Sequence, residues 1–220
     1  CGNITLALSI EGDECSNDDR RGQGAYEKTI EAMKLLKREK ILFGISVCYT
    51  SENVNDVTSD EFIDKMVESG VKFALYFNYM PVGKSAVKEL IPTPTQRKYM
   101  YYWIKKMRSG HTGKPLFVMD FQDDGEYVGG CIAGGRNYFH INSKGDIEPC
   151  VFVHYSDSNI RETTLLESLQ RPLFQAYRKG QPFNDNHLMP CPMLENPDIL
   201  RKIIKETGAK STDHLINEDV

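Results

Sequence analysis

The chain has 220 residues, 40% of them hydrophobic and 26% charged, with a net charge of −4. That length supports one large domain or two small ones around a real core. The acidic balance argues against a nucleic-acid backbone as main partner, and no apolar run of about 18 residues is present to span a membrane.

No signal peptide is visible, because Cys1 to Ile10 lacks a basic n-region and acids follow at once. The chain begins at Cys1 rather than Met, at the edge of a strand, and is expected to be part of a longer protein. Six sparse cysteines (Cys1, Cys15, Cys48, Cys131, Cys150 and Cys191) fit reduced thiols in a cytoplasmic compartment better than a disulfide framework.

The first half alternates strand and helix patterns. Ile4 to Ile10 is a short apolar run with strand character, and Glu11 to Asp19 reads as a solvated acidic loop. Tyr26 to Lys40 places Tyr26, Ile30, Met33 and Leu36 at helical spacing. Ile41 to Tyr49 is the second apolar run. A capping box at Thr58 and Glu61 opens a helix through Phe62, Ile63, Met66 and Val67, stopped by Gly70. Val71 to Tyr79 is the third strand. Thr93, Pro94 and Gln96 cap a helix that carries Tyr99, Tyr102, Trp103 and Met107. The basic stretches Lys34 to Lys40 and Arg97 to Arg108 fall on these helices as solvated faces. Near-continuous apolar strands between helices point to a parallel sheet covered by helices. Three such units make part of a barrel, so the expected architecture is α/β with a boundary near residue 112.

The second half changes character. Pro115 to Phe121 is followed by an acidic, then glycine-rich segment. Tyr138 to Asn142 and Ile147 flank the turn signal Ser143-Lys144-Gly145-Asp146, a β-hairpin pattern. Short helices are expected over Thr164 to Arg171 and Leu173 to Lys179. A last helix runs from Asp198 to Thr207 between Asn196-Pro197 and Gly208.

Three cysteines carry the chemistry. Cys131 and Cys150 flank the hairpin, which brings its ends together, and Gly145 permits the positive φ of its turn. Cys191 sits between Pro190 and Pro192, in a loop stiff enough to hold a ligand still. Iron–sulfur clusters and zinc both take thiolates. The alternative is three unligated, buried thiols. Cys48 reads as core and Cys15 as a thiol in a polar loop. His140 and His154 fit hairpin hydrogen bonds better than metal binding.

C-x13-G-x4-C, from Cys131 to Cys150, resembles the opening of the SPASM or twitch extension that follows the barrel of many radical S-adenosylmethionine enzymes. Leu8 to Gly12 (L-S-I-E-G), Asp18 to Arg21 (D-D-R-R) and Gly22 to Ile30 resemble, in order, the fourth strand of that barrel and the segments after it. F-G-I-S-V at Phe43 to Val47, and Tyr79 to Gly83, resemble its fifth and sixth strands. The resemblance implies a partial (βα) barrel over 1–112 and a small auxiliary α+β domain over 113–220.

It further implies a [4Fe-4S] cluster on Cys131, Cys150 and Cys191, with S-adenosyl-L-methionine as cofactor. The fourth cluster position is left to substrate, His154, His187 or a carboxylate. Ser9 would contact the cofactor ribose, Glu11 a ribose hydroxyl or the substrate, Arg21 the methionine carboxylate and Met80 the adenine. Each has a plainer reading: Ser9 as a strand end, Glu11 as loop, Arg21 paired with Asp18, Met80 as core. The family's C-x3-C-x2-C motif is absent from this sequence, and the cysteine-dense run of full SPASM extensions is reduced to Cys191.

The resemblance implies a peptide or small-molecule substrate and a reductant such as ferredoxin or flavodoxin. Competing readings are a non-catalytic electron-transfer module and an inactive relic. The open edge of the first strand is expected to make the isolated chain poorly soluble or partner-bound.

Overall fold

Alternating apolar runs and helical repeats fold, in the first half, into a parallel sheet with helices packed on it. The computed structural model describes residues 3–84, 86–122, 124–186 and 188–213. Cys1 and His187 therefore lie outside the described residues. The chain divides into two compact units, one of residues 1–81 and 87–121, the other of 82–86 and 122–220.

The first unit contains β1 (Leu6–Ser9), α1 (Glu14–Arg21), α2 (Ala25–Arg38), β2 (Phe43–Tyr49), α3 (Val54–Val57), α4 (Asp60–Glu68), β3 (Phe73–Asn78), α5 (Pro94–Arg108) and β4 (Phe117–Asp120). Its four strands lie in the order β1-β2-β3-β4, each parallel to the next. β1 and β4 form the edges of this sheet, and Leu6 on β1 is exposed. Residue 112 precedes β4, yet β4 pairs with β3 at Ala74 and Val118, so the sheet of the first unit reaches residue 120.

Sheet residues Ile45, Val47, Ala74, Tyr76 and Val118 are fully buried against Met33, Ile63, Met66 and Met100 from the helices. Each large apolar side chain so buried contributes about 1.5–3 kcal/mol. The Tyr76 hydroxyl donates to the Val57 carbonyl at 2.7 Å, so its burial leaves no orphaned polar group. The Trp103 ring stands edge-on to Tyr76, with centroids 5.3 Å apart.

Two local expectations are corrected. The stretch expected as an acidic loop is largely helical: Asp13 caps α1 by accepting from the Ser16 N–H at 2.8 Å, with Arg20 and Arg21 in its last turn. The N-cap of α4 is Ser59, which accepts from the Phe62 N–H, whereas Thr58 donates back to the Val54 carbonyl at 2.7 Å. α3 ends at Val57, and that placement claims Thr58 for its own final turn. The capping box of α5 forms as expected from Thr93 and Gln96.

The second unit contains α6 (Gly125–Val128), β5 (His140–Ile141), β6 (Ile147–Glu148), β7 (Tyr155–Ser156), α7 (Leu165–Leu169), α8 (Pro172–Lys179), α9 (Pro197–Thr207) and β8 (Lys210–Ser211). β5 and β6 form the expected antiparallel hairpin. In its turn the Asn142 carboxamide oxygen accepts from the N–H groups of Lys144 and Asp146, and Gly145 adopts φ +92°. β7 pairs antiparallel with β8, which ties residues 210–211 back to the middle of the unit. The core gathers Ala133, Cys150, Val153, Leu173, Tyr177, Phe183, Leu200 and Ile203. No helix among the described residues is long and apolar enough to cross a membrane.

Candidate functional site

In the second unit the hairpin does what its pattern suggests. The Gly134 N–H donates to the Pro149 carbonyl at 2.9 Å, so the chain just after Cys131 is held to the chain just before Cys150. α8 places Tyr177 beside them, and the Cys131 Sγ lies 3.8 Å from the Tyr177 hydroxyl. The Ala133 N–H also points at this sulfur, at 3.5 Å. Cys150 belongs to the same core as Tyr177, and Cys131 packs against it.

Cys191 is fixed by its own turn. Its N–H donates to Glu195 Oε2 at 2.7 Å, and the Leu194 N–H points at its sulfur at 3.4 Å. Asn196 does not cap α9 with its side chain; its Nδ2 donates to the Cys191 carbonyl at 3.1 Å and closes that turn.

Burial pushes the Cys150 and Cys191 thiols up to about 12, and that of Cys131 upward as well. Burial also raises the Tyr177 hydroxyl well above its ordinary value. Such thiols are inert in the metal-free chain and need a cationic centre to become thiolates. Among the described residues no three His, Cys, Asp or Glu side chains converge tightly enough to hold a single metal ion.

Glu148 lies on β6 of the hairpin, paired with His140, and is fully buried. Its Oε1 accepts from Asn142 at 3.1 Å and from the Thr212 hydroxyl. Its Oε2 faces His154 Nδ1 at 3.7 Å and His140 Nε2 at 3.9 Å. The two histidines thus flank a carboxylate rather than complete hairpin hydrogen bonds.

In the first unit Glu11 organises the C-terminal end of β1 and β2. It is fully buried, and Arg21 forms an ion pair with its Oε1. Arg20 Nε lies 3.7 Å from the same oxygen, and Oε2 accepts from the Cys48 N–H at 2.9 Å. Asn53 Nδ2 donates to the Glu11 carbonyl at 3.0 Å, and Asn17 Oδ1 accepts from the Glu11 N–H.

Glu11 is therefore not part of a solvated loop. Nor does Asp18 take Arg21 as partner. Its carboxylate accepts from the Gly24 and Tyr26 N–H groups at the start of α2, and the bond from Tyr26 holds its pKa below the ordinary range.

Ser9 ends β1 opposite Ser46, and Met80 follows β3, buried, at the same end of the sheet. Sequence reasoning missed Arg20, which lies over the Tyr79 ring at 5.4 Å and contacts the Cys48 thiol. Cys48 is half-buried, and desolvation lifts its thiol to about 11. No sequence signal distinguishes Arg20 from Arg21; only the facing of α1 does.

Residues 131–193 match the SPASM family, described as an iron–sulfur cluster-binding domain. The matched segment opens on Cys131 and includes Cys150 and Cys191. The chain is 22% identical over 185 residues to the AdoMet-dependent heme synthase of Methanosarcina barkeri, covering 74% of this chain and 52% of that protein. It thus spans about half the length of the curated relatives it matches.

Among solved structures it resembles SuiB of Streptococcus suis bound to S-adenosylmethionine, with a TM-score of 0.61 and 20% identity over 86% of this chain and 48% of that one. It also resembles anSMEcpe with bound AdoMet and the Kp18Cys peptide, with a TM-score of 0.57 and 15% identity over 91% of this chain and 66% of that one. The family match thus falls on the segment that opens with the C-x13-G-x4-C pattern, and the solved structures share the fold of this chain.

Proposed function

We propose that this chain is the later part of a radical S-adenosylmethionine enzyme, and that Cys131, Cys150 and Cys191 bind one auxiliary [4Fe-4S] cluster. The observation that carries the reading is that Cys131 and Cys150 share one core with Tyr177, the Cys131 sulfur 3.8 Å from its hydroxyl, within a segment that matches the SPASM domain and also holds Cys191. The donor set fits: thiolates are the usual cluster ligands, and backbone N–H groups already point at two of the sulfurs. When bound, the cluster supplies one-electron chemistry. The residues of this chain hold its thiolates, exclude water from them and set the polarity around them.

The four-stranded parallel sheet is read as an arc of the partial barrel, with its ligand end where β1, β2 and β3 finish. Ser9, Glu11, Arg21 and Met80 are assigned to S-adenosyl-L-methionine there. Arg21 and the Cys48 N–H engage Glu11, which supports a role for Glu11 in orienting Arg21 as well as in contacting the ribose or the substrate. The domain division of the whole protein is proposed at the end of β4.

The full-length enzyme would cleave S-adenosylmethionine and abstract hydrogen from a peptide or small molecule. The peptide bound to anSMEcpe supports the first substrate class, and the heme synthase the second. A cytoplasmic location and a ferredoxin- or flavodoxin-like reductant complete the reading.

Anaerobic iron–sulfur reconstitution tests it. The expected result is about four irons per chain, lost in a Cys131→Ala, Cys150→Ala, Cys191→Ala variant. Absence of iron from the unchanged chain overturns it.

A further inference from the structure

Tyr177 is nearly completely buried, at 1% exposure, yet its hydroxyl points at a sulfur rather than at a carbonyl or water-facing edge. Its ring is clamped. Phe183 stands edge-on to it with centroids 5.0 Å apart. Gly134, at φ +69°, leaves the space that a Cβ would fill at 2.3 Å from the ring. A clamped ring aims its hydroxyl without rotamer loss on binding.

Gln181 approaches the same cysteine from another side. Its Oε1 accepts from the Cys131 N–H at 3.0 Å. Its Nε2 is buried and lies beside the Cys131 sulfur, outside full hydrogen-bond geometry to any group among the described residues. A buried donor without a well-formed partner keeps its desolvation cost, so this amide marks a place where a stronger acceptor belongs. A cysteine thiolate is such an acceptor, and a thiol is a poor one.

We propose that Tyr177, supported by Gln181, donates a hydrogen bond to the Cys131 sulfur when it ligates the auxiliary cluster, and thereby raises the reduction potential of that cluster. This rests on the cluster reading above. Hydrogen bonds to ligand sulfurs favour the electron-rich, reduced state. A phenol, with an ordinary pKa of about 10, keeps its proton at neutral pH and can only donate to a thiolate. Tyr177 and Gln181 are positioning residues: they act through Cys131.

The test is a potentiometric EPR titration of the reconstituted chain beside Tyr177→Phe and Gln181→Met. Tyr177→Phe is expected to bind the same iron and to be reduced less readily, by about tenfold in the reduction equilibrium, which is about 59 mV for a one-electron couple. Gln181→Met shifts the potential the same way by less. Equal potentials at equal iron content overturn the inference and leave the cluster reading standing. No iron in the unchanged chain overturns both. Should Tyr177→Phe lose its iron, fluorotyrosine at position 177 decides, because it keeps the ring and strengthens the donor. A raised potential then supports the bond, and an unchanged one refutes it.

Discussion

Glu11→Gln removes a charge that the first unit uses as a structural hub. One carboxylate oxygen receives Arg21 and lies 3.7 Å from Arg20; the other accepts from the Cys48 N–H at 2.9 Å. An amide satisfies only one of these ends, because its NH2 group must face either a guanidinium or the N–H. Loss of a charge-assisted hydrogen bond costs about 1.5–3 kcal/mol, and a buried unpaired N–H about 1–3 kcal/mol. Both arginine side chains are 34% exposed and recover part of this by turning to water. A net loss of about 2 kcal/mol is expected.

The chain has a single tryptophan, Trp103, buried against Tyr76, so its fluorescence reports on this unit alone. With a urea m-value of about 1–3 kcal/mol/M, the unfolding midpoint should fall by about 1 M. A second variant, Arg21→Met, and the double variant close a cycle; coupling of about 1 kcal/mol between the two positions is expected. A midpoint shift in Glu11→Gln below about 0.3 M, or additive single effects, would refute the hub. It would return both side chains to a role reserved for cofactor.

Two further outcomes follow from the second unit. In the metal-free chain Cys150 and Cys191 keep their protons up to about pH 12, against 9.0 for a free thiol. Between those values the unfolded state binds fewer protons. The stability these thiols contribute is therefore complete below pH 9.0 and is lost as pH rises towards about 12, by up to about 1.4 kcal/mol per pH unit for each thiol. Urea midpoints followed by circular dichroism should fall more steeply above pH 9 in the unchanged chain than in a Cys150→Ala, Cys191→Ala variant; parallel profiles would contradict it. Gly134→Ala places a methyl 2.3 Å from the Tyr177 ring at a left-handed backbone position, which alone costs about 1–2 kcal/mol. Reduced iron uptake with an altered near-ultraviolet aromatic signal is expected, and uptake equal to the unchanged chain would show that the clamp on Tyr177 is dispensable.

The strand and helix alternation of the first half was legible in the sequence, because buried parallel strands are apolar throughout and their covering helices repeat at helical spacing. The hairpin and its glycine turn were legible too, since turn chemistry is local. The three cysteines stand out in the sequence as candidates, for a thiol is a rare and chemically distinct residue.

What stayed hidden was set by distance along the chain. Whether Thr58 or Ser59 caps α4 depends on where α3 ends, and α3 is one short turn. Two-residue strands such as β7 and β8 carry no period to read, and they exist because their partners are brought alongside. Glu11 looks like one acid among several in an acidic stretch. It is a hub only because the Cys48 N–H, 37 residues away, and the Asn53 amide, 42 residues away, arrive at its carboxylate and carbonyl. Tyr177 reads as one more apolar position on a helix face. It becomes a candidate hydrogen-bond donor to a cluster ligand only where α8 packs its ring against Gly134 and sets its hydroxyl beside a thiol 46 residues away. Periodicity and residue type are properties of neighbours in sequence. The pairing of a buried polar group is a property of neighbours in space, and burial makes that pairing decisive.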